Sequence, residues 1–183
     1  MTILHIDSSI TGENSASRAI SRSIVDRLRA QTPEADIVVR DLVSDPLPHL
    51  TFDAFADGTV LDEFLRAYTV VVGAPMYNFT LPTQLKAWLD RILVAGKTFR
   101  YTEDGPEGLA GGKRVVIALA RGGFYDAGSP ASALEYLESY LRGVFGFIGI
   151  EPEFVAADGL AIGPEQRDTS IAHALGETVR LAA

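Results

Sequence analysis

Three stretches of the chain concentrate side chains able to hold a ligand. The first is Asp7-Ser8-Ser9-Ile10-Thr11-Gly12-Glu13-Asn14-Ser15-Ala16-Ser17-Arg18, dense in hydroxyls and directly ahead of an amphipathic run. The first N–H groups of a helix have no intrahelical partner, and the helix dipole adds positive character there, so such a junction attracts anions. Ser9, Ser15 and Ser17 can add hydroxyl donors. Neither G-x-x-x-x-G-K-[ST] nor G-x-G-x-x-G occurs in the stretch, which leaves a nucleoside-triphosphate loop and a dinucleotide fingerprint unsupported. A monophosphate held by hydroxyls and backbone fits what is present. The same residues would also serve as plain helix caps, with Asn14 or Ser15 at the N-cap.

The second stretch is Gly73-Ala74-Pro75-Met76-Tyr77-Asn78-Phe79, followed by Thr80-Leu81-Pro82. A loop hides apolar surface poorly, so Met76, Tyr77 and Phe79 call for a ligand or another subunit. A flat apolar ring system is one partner, with Asn78 supplying polar contacts; folding of the aromatics into the core is the other reading. The third stretch is Ala120-Arg121-Gly122-Gly123-Phe124-Tyr125. Its paired glycines let a backbone approach a ligand closely, where their N–H groups can bond a polar ring edge; a simple glycine turn reads equally well. Other chemistries lack their residues. With no cysteine, disulfides, iron–sulfur clusters, thiolate zinc sites and cysteine nucleophiles are excluded. His5, His49 and His173 are scattered, out of metal-ligand spacing. There is no G-x-S-x-G elbow, and only Asp7 stands where a phosphoacceptor domain wants an acidic pair.

Elements must bring these stretches together. Ile3 to Ile6, Val70 to Gly73 and Arg114 to Leu119 are mostly apolar and β-branched rather than alternating, as strands covered on both faces require. Asp36 to Arg40 and Glu153 to Ala157 are weaker candidates. Between them lie helical periodicities: Ile20, Ile24, Leu28; Leu61, Phe64, Leu65, Tyr68; Leu85, Trp88, Leu89, Ile92, Leu93; Leu134, Leu137, Leu141, Phe145; and Ile171, Leu175, Val179. Pro82 sits near the start of the helix that holds Trp88, where its missing N–H is harmless. Five strands separated by helices predict right-handed crossovers and a five-stranded parallel sheet with helices on both faces. The flavodoxin-like order 2-1-3-4-5 fits five strands better than the six-stranded dinucleotide fold. All three stretches then fall at carboxyl ends of strands. Asp45 to Thr59 reads as a surface loop, and Thr98 to Gly112 as a hairpin or extended excursion.

Composition narrows the partners. A formal net charge of −8 argues against nucleic acid, which needs a basic face, and against an anionic membrane surface. The sequence is 47% hydrophobic and 22% charged, normal for a globular protein. No basic-then-apolar leader opens the chain, and no run approaches the ~18 to 20 apolar residues of a membrane span. One domain over residues 1–183 and a cytoplasmic location are expected.

The sequence resembles the FMN-dependent NAD(P)H azoreductases, also described as NAD(P)H:quinone oxidoreductases, along essentially its whole length. The most specific part is APMYNFTLPTQLKAWLDRILVAGKTFRYTEDGPEGLAGGKRVVIALARGG, Ala74 to Gly123; the SSI…SAS pattern near the N-terminus and GFIGI, Gly146 to Ile150, agree with it. The resemblance implies that Ser9, Ser15, Ala16 and Ser17 cradle the FMN phosphate. It implies that Met76, Tyr77, Asn78 and Phe79 line the isoalloxazine ring, with Asn78 near N5, and that Ala120, Arg121, Gly122 and Gly123 meet its other polar edge. It implies Tyr101 and Phe147 as walls of the substrate pocket, a homodimer with the flavin near the interface, and two-electron ping-pong transfer from NADH or NADPH to a quinone or azo compound. No obligatory catalytic side chain and no metal are implied. Two positions depart from the family: Ala120 stands where Ser or Thr is usual, and Asp53 to Asp62, in a region that helps cover the flavin, is shorter than in many relatives. A flavodoxin-type electron carrier acting through protein partners is the alternative.

Overall fold

The β-branched runs assemble into one sheet. In the computed structural model, which describes residues 1–181, five strands pair in parallel: β1 (Thr2–Asp7), β2 (Asp36–Asp41), β3 (Thr69–Pro75), β6 (Arg114–Ala120) and β7 (Glu153–Ala157). Their order is β2-β1-β3-β6-β7, the predicted 2-1-3-4-5 once an intervening hairpin is set aside. That hairpin is β4 (Phe99–Thr102) and β5 (Gly105–Gly108), antiparallel and separate from the sheet. Every residue of β3 is buried, as expected of a central parallel strand covered on both faces.

Alternation along the strands splits the core in two. Ile3, Val71, Val116 and Ala118 pack with Ile20, Ile24 and Leu28 of α1 (Ala16–Gln31) and with Ala174 of α6 (Pro164–Leu181). Leu4, Ile6, Val70, Val72, Val115, Ile117 and Leu119 face the other way. There they meet Phe64 of α3 (Thr59–Arg66), Trp88 of α4 (Thr83–Ile92) and Phe145 of α5 (Glu138–Phe147). The helices therefore lie on both faces, as predicted.

Three local expectations need correction. The stretch Asp45 to Thr59 is not all loop: α2 (Phe52–Ala56) forms within it, capped by the Thr51 hydroxyl, which accepts from the Ala54 N–H at 3.1 Å. The helix read from Leu134 begins only at Glu138. The Glu135 carboxylate accepts from the N–H groups of Leu137, Glu138 and Ser139 at 3.1, 2.8 and 2.9 Å, which caps the helix and leaves Leu134 in a preceding 3₁₀ turn. In α6 the expected stripe Ile171, Leu175, Val179 is only partly used: Leu175 packs against the core, Ala174 and Thr178 are the buried positions, and Val179 is half exposed. Small residues let α6 approach α1 closely, and the Thr178 hydroxyl is taken up by Arg27 Nε at 2.7 Å.

The hairpin is fastened by two glycines. A Cβ on Gly108 would lie 2.1 Å from the Gly149 nitrogen, and Gly149 itself has φ +87°. Backbone against backbone leaves nothing to yield. Gly108→Ala should lower the unfolding free energy by about 3 kcal/mol. Gly176→Ala, in α6 where a Cβ meets nothing within 4 Å, should raise it by about 0.5 to 1 kcal/mol. Urea unfolding of both variants beside the parent checks the pair; equal effects would contradict the contact.

Candidate functional site

The order of the sheet reverses between β1 and β3, and ligands in such sheets bind beyond the strand ends at that crevice. The loop after β1 is held from beneath by ion pairs. Arg18, in the first turn of α1, forks onto Asp41 at the end of β2, with Nη1 to Oδ2 at 2.9 Å and Nη2 to Oδ1 at 2.8 Å. Its Nε and Nη2 also donate to the Ser9 carbonyl at 3.2 and 2.9 Å. On its other side Nη1 lies 3.5 Å from Oδ2 of buried Asp7. Asp7 in turn accepts from the Ser21 hydroxyl at 3.0 Å, and Ser21 meets His5 Nε2 at 2.9 Å. Gly73 on β3 leaves room for this chain: a Cβ there would sit 2.6 Å from Asp7 Oδ1. The Arg18 hydrogen bond is the main cause that holds the Asp41 carboxyl down at about 2.

The loop above is lined with hydroxyls. Ser9 Oγ is 3.0 Å from Thr11 Oγ1 and 3.2 Å from Tyr77 OH, and Ser15 Oγ is 3.1 Å from Ser17 Oγ. Ser15 is the N-cap of α1, its hydroxyl accepting from the Arg18 N–H at 3.2 Å. The capping reading and an anion cradle therefore coexist in one residue. Ala16 and Ser17 are buried, yet their N–H groups donate to no acceptor among the described residues. A buried N–H without an acceptor is costly, so these two mark a place for an anionic group.

The loop after β3 turns back on itself. The Tyr77 N–H donates to Thr80 O at 2.9 Å and the Thr80 N–H to Tyr77 O at 3.2 Å. Asn78 and Phe79, between them, have φ +47° and +74°, and they are the non-glycine residues with positive φ among those described. Asn tolerates that region; for Phe it is strained, and strain of this kind gathers at functional sites. The Asn78 and Phe79 N–H groups find no acceptor among the described residues. Tyr77 OH ties this loop to the first one by accepting from the Ile10 N–H at 3.1 Å.

The loop after β6 is braced by its carbonyls. Those of Arg121, Gly122 and Gly123 accept from Leu160, Ala161 and Gly159 at 3.1, 3.0 and 3.1 Å, while the Gly122 and Gly123 N–H groups find no acceptor among the described residues. The Arg121 side chain points into a carboxylate cage, forking onto Asp158 at 2.6 and 2.9 Å with Glu138 at 3.4 Å. Burial opposes its charge, but the Asp158 hydrogen bonds and the surrounding carboxylates outweigh it and hold its pKa above the usual value. The Arg121 N–H is itself committed to Ala157 O. Arg121 thus acts on the turn and presents neither its side chain nor its N–H to the crevice.

A cavity of about 420 Å³ opens where the loops meet, within the range of cofactor sites. Ser9, Ser15, Ala16, Met76, Tyr77 and Ala120 line it. Ser17 lies behind Ser15, and Asn78, Phe79, Arg121, Gly122 and Gly123 flank the cavity without lining it. Tyr101 and Phe147 both pack on Phe99, with ring centroids 5.5 and 4.7 Å away, apart from this cavity. Thr11, Asn14, Pro75, Leu160 and Arg167 also line the cavity. Thr11, Asn14 and Pro75 sit inside the stretches singled out by sequence. Leu160 and Arg167 come from beyond β7, where no local motif announces them.

A protein-family model described as a flavodoxin-like fold matches residues 1–181. The chain is 53% identical to FMN-dependent NADH:quinone oxidoreductase 2 of Bradyrhizobium diazoefficiens, with all of both chains covered. It is 52% identical, over all of both, to an FMN-dependent NADH:quinone oxidoreductase of Methylorubrum populi. The first alignment spans 201 positions against 183 residues here, so that relative carries residues this chain lacks. Among solved structures, an azoreductase from Bacillus anthracis superposes with a TM-score of 0.91 at 28% identity, covering 100% of this chain and 98% of that one.

The Arg18–Asp41 pair fixes a pH prediction. A carboxyl depressed in the folded state stabilises above its unfolded value, about 4, and loses that contribution as pH falls through its folded value, about 2. Asp41→Asn should be less stable than the parent at pH 7, and the gap should narrow between pH 4 and 2. A gap independent of pH in chemical unfolding would contradict the ion pair.

Proposed function

The chain belongs to the flavodoxin-like fold family, and we propose that it is an FMN-dependent NADH:quinone oxidoreductase that also reduces azo compounds. The observation that carries the proposal is the pair of buried, unpaired N–H groups of Ala16 and Ser17 beside the hydroxyls of Ser9, Thr11 and Ser15. That donor set suits the phosphate of FMN. Relatives with this activity in their names match the chain over its full length. When bound, FMN would supply the two-electron chemistry, taking electrons from NADH and giving them to a quinone or azo acceptor.

The chain's own residues bind and orient. Met76 and Tyr77 supply a wall against which a flat ring can lie. The free N–H groups of Asn78 and Phe79 on one side, and of Gly122 and Gly123 on another, are donors fixed in place before any ligand arrives. Such preorganised donors stabilise negative charge as it develops on a ring. Ala120 offers no hydroxyl, so that edge depends on backbone alone. No side chain need act as an obligatory acid or base.

Residues 1–183 read as one FMN-binding domain, and we infer a homodimer as the active unit. Leu50, Phe52 and Phe55 together form an exposed apolar patch, and such a patch favours a partner surface. Tyr101 and Phe147, gathered around Phe99, would wall the acceptor pocket. No described helix is long and apolar enough to cross a membrane; a cytoplasmic location suits NADH as donor. An electron carrier would instead need a protein partner for turnover.

Initial rates with NADH and a water-soluble quinone test this. We expect steady NADH oxidation without any added protein, and parallel double-reciprocal lines, because donor and acceptor use one pocket in turn. Intersecting lines would contradict the shared pocket, and turnover only with a partner protein would favour the carrier.

A further inference from the structure

Arg167 is the one charged residue among those lining the cavity. It stands in the first turn of α6, its N–H donating to Gly163 O at 3.0 Å, on an element far along the chain from the hydroxyl loop. Its Nη2 donates to the Asn14 carbonyl, immediately before the N-cap Ser15. That bond holds the guanidinium over the loop whose Ala16 and Ser17 N–H groups are unpaired. In a chain of net charge −8, seven of the thirteen arginines pair with a carboxylate: Arg18, Arg40, Arg100, Arg114, Arg121, Arg142 and Arg180. Arg27 and Arg91 give their side chains to neutral oxygens away from the cavity. Arg167 makes no ion pair among the described residues. A guanidinium fixed by one neutral carbonyl keeps further donors free, in the fork geometry that suits phosphate oxygens.

We propose that Arg167 is a phosphate-binding residue of the FMN site, supplying from α6 the positive charge that the hydroxyl loop lacks. The inference rests on the FMN reading above. It assigns to this chain a phosphate cradle of two parts: neutral donors from the β1–α1 loop and a cation from the far helix.

The test titrates FMN, and riboflavin, which lacks the phosphate, into the flavin-free full chain, following flavin fluorescence at several salt concentrations. Arg167→Gln should weaken FMN roughly tenfold at low salt, leave riboflavin unchanged, and flatten the salt dependence of FMN binding; Arg167→Lys should recover part of the loss. Unchanged FMN affinity in Arg167→Gln would overturn the assignment. So would a loss equal at every salt concentration and not restored by lysine, which would mean that Arg167 only pins the Asn14 carbonyl. If FMN affinity held while the KM for NADH rose, the phosphate recognised would be the dinucleotide's and the assignment to FMN would fall. A parent chain that binds no FMN would instead refute the proposed function.

Discussion

A parallel sheet delivers the carboxyl end of every strand to one edge, where the chain must turn away into a helix or loop. At that edge backbone N–H groups run out of ladder partners. The rest of this structure can be understood from how those groups are managed. After β1 two of them, on Ala16 and Ser17, are buried and unpaired at the start of α1. After β3 the two central residues of a tight turn carry two more, and after β6 two glycines do. In each case N–H groups find no acceptor among the described residues, while carbonyls such as those of Phe79, Arg121, Gly122 and Gly123 are taken up within the chain. An electron-rich, anionic cofactor answers that imbalance.

Holding such an edge open needs rigid support beneath it. Arg18 joins β1, β2 and α1 through Asp7, Asp41 and the Ser9 carbonyl. Arg121 joins the ends of β6 and β7 and the start of α5 through Asp158 and Glu138. Both arginines are fenced by carboxylates under the loops and act by positioning. Arg167 differs from these two in making no ion pair among the described residues, which separates a charge available to a ligand from charges spent on structure.

Much of this was legible in the sequence because strands buried on both faces leave mostly apolar, β-branched runs. Val70 to Gly73 and Arg114 to Leu119 gave the central strands, and the strand order followed from counting. The loops after the three strong strands named Ser9, Ser15, Met76, Tyr77 and Ala120, and the family resemblance added Ala16; the fold brings all six to one cavity. Legibility failed where a side chain's role depends on a distant partner. Periodicity put Val179 in the core, but close approach of α1 and α6 favours Ala174 and Thr178 instead. Leu134 fitted a helical stripe, yet capping by Glu135 starts the helix later. Arg121 is expected, with Ala120, Gly122 and Gly123, at a polar edge of the ring; that its side chain is taken by Asp158, on another strand's end, depends on the fold. Arg167 carries no local signal at all, since only the fold sets α6 beside the first loop.

The central claim is that this edge holds a flavin that NADH can reduce. The direct measurement is the visible absorption spectrum of the purified protein before and after NADH is added without oxygen. The account predicts flavin bands that bleach with NADH and return when a quinone is added. A protein that shows no flavin bands even after incubation with FMN would contradict it.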